Sequence, residues 1–494
     1  MVMPRRWRKL IGGLSYLLGS ACTSPAPAHG FGQRYDLPIP LSFYVWGAGA
    51  TVALSFVGFT LFLRQEPNLS RLRAEWHPKG RLVNAVVMSA RSLAVGLLAL
   101  VIVAGLFGSQ DPIRNIAPAM IWIIAWVGLA FLSLLLGEVW ALINPWDTVF
   151  TFAESSYRRI RAGAVLGSGR RYPEWLGVWP AFLLFVLFSW MELVWSGKNV
   201  PAELAAALLV YSGLTWLGMF VFGREAWLGR GEVFTLVFGT FARFAPLARM
   251  LEGRVGIRVR PPATGLLEDH PLTISMVALV IALLATVTFD GFLETPLWAR
   301  VDFAVLDSAS DSSFWAVLSL REDQAVRAVR TLTLLGWVLL FLGVYAVFCW
   351  LTAAVSGDRA VSAGIIARRF VLTFVPISLA YHVAHYFSLL FIGGQYAIPL
   401  LSDPLGRGWN LFGTAGYQVD IGFVTPRLQW SVAVVAVVLG HVVAVYLSHI
   451  TALRVFRSSR AALVSQIPMI VLMVGYTMIS LWILSQPIVE TAPG

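Results

Sequence analysis

Two histidines three residues apart, His382 and His385, sit in the apolar run LAYHVAHYFSLLF. At i and i+3 of a helix they share a face, so both imidazoles can enter one site. Tyr381 and Tyr386 flank them, and His441 follows Gly440 in a second apolar run, where a glycine lets a partner helix come close. Carboxylates at the same level lie in TFDGFLETPLW, which holds Asp290 and Glu294, and in SWMELVW, which holds Glu192. Imidazoles and carboxylates together suit zinc, manganese, iron or copper, and a metal so held activates water. The expectation is a metal site of His382, His385, His441 and His29, with Asp290 and Glu294 as the catalytic carboxylates.

The same residues admit plainer roles. A lone histidine in a helix bundle is commonly hydrogen-bonded to a backbone carbonyl or a tyrosine, and His441 fits that description. The pair His382 and His385 suits a proton relay as well as a ligand set. Asp290 precedes Gly291, an ordinary turn signal. A heme between two histidines is a further option, although no C-x-x-C-H is present for covalent attachment.

Positioning these groups falls to membrane helices. Of 494 residues, 58% are hydrophobic and only 13% charged, half the charged share of a soluble protein, which excludes a soluble enzyme, a disordered chain and a nucleic-acid binder. Ten stretches meet the requirement of roughly 20 apolar residues per crossing. They lie near 41–63, 83–107, 116–143, 174–196, 201–222, 271–290, 330–355, 366–392, 429–450 and 463–484. The fold class is therefore an all-α polytopic helix bundle whose principal partner is the lipid bilayer.

Arg5, Arg6, Arg8 and Lys9 precede an apolar stretch from Leu10 to about Leu18, and Ala26-Pro27-Ala28 has A-x-A spacing. Residues 1–28 read as a cleavable secretory signal, which would leave His29 as the first residue of a single domain over 29–494. An uncleaved signal anchor is the alternative. Lipidation of Cys22 has little support, because Leu18 stands one position too early for a lipobox. With Cys22 removed, Cys349 would have no disulfide partner.

If His29 starts outside, the inner loops carry 23 Lys and Arg against 8 in the outer segments. Charge so distributed predicts a cytoplasmic-membrane protein with both mature termini on the outer side. The apolar stretch 231–250 is interrupted by Arg243 and Pro246, which predicts a helix on the inner surface or a re-entrant segment. The outer loops 291–329 and 393–428 are long, as functional loops tend to be, and the second reads as a lid over the histidine site. Arg91 is expected to pair with Glu138 or snorkel to the inner interface, and His449 to snorkel there. No P-loop, Rossmann fingerprint, G-x-S-x-G or H-E-x-x-H occurs.

Three segments carry a family resemblance: AHGFGQRYDLPIP at 28–40, AYHVAHYFSLL at 380–390 and LLSDPLGRGWNLFGT at 400–414. They resemble bacterial polytopic membrane proteins named as fenitrothion hydrolases. The resemblance implies hydrolysis of a P–O–aryl ester of an organophosphorus compound, a small apolar substrate that would reach an outward-facing pocket from lipid. A proton- or solute-coupled transporter and a membrane metal-handling or sensor protein are the other functions that fit the residues.

Overall fold

The computed structural model describes residues 35–66, 74–76, 81–161, 164–250, 256–267, 272–311 and 321–488. His29 and the signal segment lie outside these residues. Among the described residues ten helices are long and apolar enough to cross a membrane, as the hydrophobic runs require. In chain order the crossing helices begin with α1 (Leu41–Phe62), α2 (Arg81–Phe107) and α3, a compound span over Ile116–Leu136. A helix outside the set of ten, α4 (Pro145–Ile160), leads to α5 (Trp179–Leu193) and α6 (Pro201–Phe222). The short α7 (Val233–Ala242) precedes α8 (Ile274–Leu293), α9 (Pro296–Asp311) and α10 (Glu322–Ser356). The eighth span is built from α11 (Ala363–Phe370) and α12 (Val375–Phe391), and the chain ends with α13 (Pro426–Val455) and α14 (Ser459–Ser485).

Helix α8 is apolar all round and buried along nearly its whole length, as a helix without a polar face must be. It packs against α5, α10 and α12. Asp290, near its C-terminal end, is thereby carried into the interior. Helices nearer the rim leave large apolar side chains uncovered, among them Leu209 and Val210 on α6 and Leu339 and Trp350 on α10, which is the surface a bilayer would cover.

Two close contacts fix α13 on α12, the helices that bear the histidines, and the end of α3. A Cβ at Gly440 would stand 2.4 Å from Ala380 Cβ and 2.7 Å from the Pro376 carbonyl, so α13 lies backbone to backbone on α12. The closeness expected of Gly440 is present. Helix α3 contains a π-helical stretch, Ala119–Gly128, and ends where Gly137 takes φ 84° with the Leu247 carbonyl against it. A side chain at 137 has neither the backbone conformation nor the room. The span expected to run to 143 therefore stops at Leu136 and resumes as the short helix Val139–Ile143.

The stretch 231–250 crosses nothing. It forms α7, ten residues long and packed against α3, α5 and α12. Both of its ends are held by charge of the favourable sign. At the start, the Glu232 carboxylate accepts from the backbone N–H of Phe234 and Thr235 at 3.0 and 2.8 Å, and from Trp140, Tyr211 and the Thr235 hydroxyl. At the finish, the buried Arg260 donates to the carbonyls of Ala242, Arg243 and Ala245 at 3.1 to 3.3 Å. Both expectations have this segment stop short of crossing, and a ten-residue helix is too short to cross.

Other differences are local. The expected loop 291–329 contains the helix α9, and α10 starts at Glu322 rather than near 330. A three-stranded antiparallel sheet, β1 (Ala74–Trp76), β2 (Leu247–Met250) and β3 (Gly256–Val259) in the order β1-β3-β2, joins the loop after α1 to the loop after α7. Arg91 donates to the Leu142 carbonyl at 3.0 Å and approaches Asp147 at 3.9 Å. His449 does not snorkel. It is buried between the Gln466 side chain and the carbonyl of Leu63, which the end of α1 leaves without a helical partner.

Candidate functional site

At the end of the bundle where α5, α8 and α12 finish, their side chains form one hydrogen-bonded chain. His385 Nε2 lies 2.8 Å from Asp290 Oδ2, and the Tyr386 hydroxyl donates to the same oxygen at 2.6 Å. That hydroxyl also lies 3.3 Å from Glu192 Oε1, so one tyrosine bridges carboxylates of two helices. Sequence adjacency puts His385 and Tyr386 on neighbouring helical faces, and Asp290 receives both. Lys198, in the short turn between α5 and α6, donates to the Glu192 backbone carbonyl at 2.9 Å, and its own carbonyl accepts from Trp122 Nε1 at 2.7 Å. The π-helical stretch of α3 thus anchors the turn that carries the cation nearest to the carboxylates. Such stretches recur at functional sites.

His382 occupies the layer beneath. Its ring lies edge-on to Trp126 at 5.5 Å and to Tyr386 at 4.7 Å, with Phe131 and Phe241 completing the enclosure. Phe241 comes from α7, so this short helix forms one wall. His382 Nε2 has no hydrogen-bond partner among the described residues. A buried nitrogen left so costs about 1–3 kcal/mol, and an ordered water is its ordinary remedy. Beside it, between Glu192, Ser378 and Tyr386, is a cavity of about 10 Å³, room for a single water.

A second run of polar groups continues toward the bundle centre. The Tyr381 hydroxyl rests against Gly291, where a Cβ would come within 2.3 Å of it. Deeper, Tyr476 on α14 is hydrogen-bonded to Thr288, and its ring lies 5.9 Å from that of His441. His441 uses Nδ1 on the Val437 carbonyl at 2.8 Å, one turn back on its own helix. Its Nε2 and the Tyr381 hydroxyl have no partner among the described residues.

The sequence-derived candidates therefore divide. His385 and Asp290 meet directly, and His382 stands in the adjoining layer. Glu294, one turn beyond Asp290, is exposed at the mouth. The protein packed around it raises its pKa, and the charge of Asp290 raises it further, while His385, Lys198 and Arg330 pull it back. His441 belongs to the deeper run, and His29 lies outside the described residues. Among the described residues no set of three or more His, Cys, Asp or Glu side chains is arranged to hold a metal ion. His385 Nε2 is hydrogen-bonded to Asp290, His382 stands in the adjoining layer and His441 in the deeper run, so the candidate donors are spread over separate places in the bundle.

Sequence reasoning did not bring in Lys198, Trp126, Thr288 or Tyr476. Lys198 is the sole charge of its turn, a signal that was available. The other three are unremarkable residues in apolar runs and carry none. The loop 393–428, expected as a lid, is built around Ser402 and Asp403, which accept from the backbone of 407–414. It also packs on α2 and α3, with Arg407 donating to the Phe107 carbonyl at 3.1 Å.

No family model, curated protein or solved structure matches the chain. What the fold and the composition establish is a multi-pass integral membrane protein with ten candidate spans.

Proposed function

We propose that this protein relays protons in a proton-coupled membrane process, with Asp290 and His385 as the exchanging pair. The observation that carries this reading is the unbroken chain Glu192–Tyr386–Asp290–His385 at one end of a membrane bundle, with His385 and Tyr386 buried and the two carboxylates half-buried. Ionisable groups are expensive in a bilayer and persist there chiefly along proton and solute pathways. The transfer balances simply. A proton on Glu192 passes to the Tyr386 oxygen as the Tyr386 hydroxyl proton moves to Asp290, and His385 exchanges the next proton with Asp290 across 2.8 Å. By the loop charges of the sequence, this end of the bundle faces outward.

A second reading is hydrolysis of an organophosphorus ester, as the resemblance to fenitrothion hydrolases implies. It is favoured by the His385–Asp290 pair, because an imidazole held by a carboxylate is the arrangement of a general base. Size weighs against it: drug-sized ligands occupy pockets of roughly 300–1,000 Å³, whereas the cavity beside His382 has about 10 Å³. The metal-assisted form requires a donor set that these side chains do not offer, so no step is assigned to a metal.

Liposomes containing the full chain and an internal pH dye separate the two. Proton flux under an imposed gradient should fall about a hundredfold in Asp290→Asn and in Tyr386→Phe, the scale of a lost acid–base group. Flux equal to that of empty liposomes, with release of nitrophenol from an aryl phosphotriester that Asp290→Asn abolishes, would replace the relay by the hydrolase.

A further inference from the structure

At the opposite end of the bundle, where α13 finishes and α8 begins, four arginines line a cavity of about 660 Å³. Arg368 and Arg369 stand in the last turn of α11, Arg454 in the last turn of α13, and Arg457 in the turn leading to α14. Glu66 and Asp358 are the carboxylates of the lining, so four cations against two anions leave a net charge of +2. Leu266 and Leu372 give the cavity an apolar wall.

The cationic groups are only partly committed. Arg454 is paired with Glu66 and donates to the Leu267 carbonyl. Arg368 uses Nε on the Gly364 carbonyl at 3.1 Å, which leaves its two terminal nitrogens for another acceptor. Arg457 has neither an ion pair nor a hydrogen bond among the described residues. Helix α11 buries Ile366 and Phe370 while exposing Arg368 and Arg369, the amphipathic division of a helix at a membrane boundary. Guanidinium forks match the oxygens of a phosphate, and basic pockets between membrane helices recognise anionic headgroups. The cavity exceeds what a bare phosphate fills, and its apolar wall suits the carbon chain that begins below a headgroup.

We propose that this pocket is a binding site for the phosphate headgroup of an anionic phospholipid. Arg368 and Arg457 hold the phosphate, and Arg454, fixed by Glu66, shapes the side of the pocket. The site is separate from the proton relay and does not depend on it.

Native mass spectrometry of the full chain in neutral detergent tests this, with short-chain phosphatidylglycerol, short-chain phosphatidylcholine and inorganic phosphate as probes. Phosphatidylglycerol should bind at least about tenfold more tightly than phosphatidylcholine, the scale of one to two arginine contacts at a membrane surface. The double variant Arg368→Glu, Arg457→Glu should lose that preference, whereas Arg159→Glu, on α4 and away from the pocket, should keep it. If the double variant does not fold, Arg457→Gln alone should weaken the preference severalfold. Inorganic phosphate binding as tightly as phosphatidylglycerol would uphold the phosphate site and assign its ligand to the aqueous side. Equal binding of the two lipids without phosphate binding, or equal loss in Arg159→Glu, would overturn the proposal.

Discussion

Asp290 takes two donors on one oxygen, His385 and Tyr386, and its neighbour Glu192 is reached through the same tyrosine. That arrangement was half legible in the sequence. The i, i+3 pair and the scarcity of charge in apolar runs marked His382, His385 and Asp290, but spacing along one helix does not say which acceptor an imidazole finds. The bond from His441 Nδ1 to Val437 lies within one turn and ties the imidazole to its own helix, in the deeper run and apart from the His385–Asp290 pair. Glu294 offers the clearest solution test, because it lies beyond the end of α8. Its raised pKa means that the folded chain binds more protons than the unfolded chain just above the ordinary carboxylate range. Stability in that window must then fall as pH rises, the reverse of a salt-bridged carboxylate. Glu294→Gln should flatten the slope of thermal stability just above the ordinary glutamate pKa of about 4.3, measured in detergent, and an unchanged slope would assign the titration to another group.

The elements show where hydrophobic length informs and where it misleads. Ten crossings follow from ten long apolar runs, since a bilayer accepts little else. Helix α7 has the apolarity of a span but half the length, too short to cross, and Glu232 and Arg260 hold its two ends. Arg260 is 17 to 18 residues from the carbonyls of Arg243 and Ala242, too far along the chain for a local capping signal to reveal. The strands and the break at Gly137 are hidden for a related reason: each depends on a segment distant in sequence, β3 for β1 and Leu247 for Gly137. Removing the Arg260 cation would leave the carbonyls of Ala242, Arg243 and Ala245 without its hydrogen bonds, and a buried acceptor left unserved costs about 1–3 kcal/mol. Arg260→Met is therefore expected to lower the melting temperature by several degrees and expose the 243–250 segment to protease, with Arg260→Lys intermediate. A methionine variant as stable and protected as the parent would show that α7 is held by its apolar contacts alone.

On the scale of the whole molecule, the two ends of the bundle differ in chemistry. One gathers Glu192, Asp290, Glu294 and His385, with Lys198 as the nearby cation, and the other gathers Arg368, Arg369, Arg454 and Arg457 around a cavity. An even number of crossings returns the chain to the side on which α1 begins, so the sign of the loop charges decides which end meets which compartment. Arginine-rich loops are retained on the cytoplasmic side, and the expectation from them is that the carboxylate–histidine end lies outside and the arginine pocket against the inner leaflet, where anionic lipids raise the local density of phosphate. Single cysteines at Gly416, in the loop after α12, and at Ser459, at the start of α14, read this directly in a Cys22→Ser, Cys349→Ser background. Both positions are exposed, and no side chain lies within 4 Å of a Cβ at Gly416. In intact cells a membrane-impermeant maleimide should label Gly416→Cys and spare Ser459→Cys until the membrane is opened. The reverse pattern would turn the bundle over, putting the proton chain at the cytoplasmic face and the arginine pocket outside, where the lipid proposal would lose its leaflet.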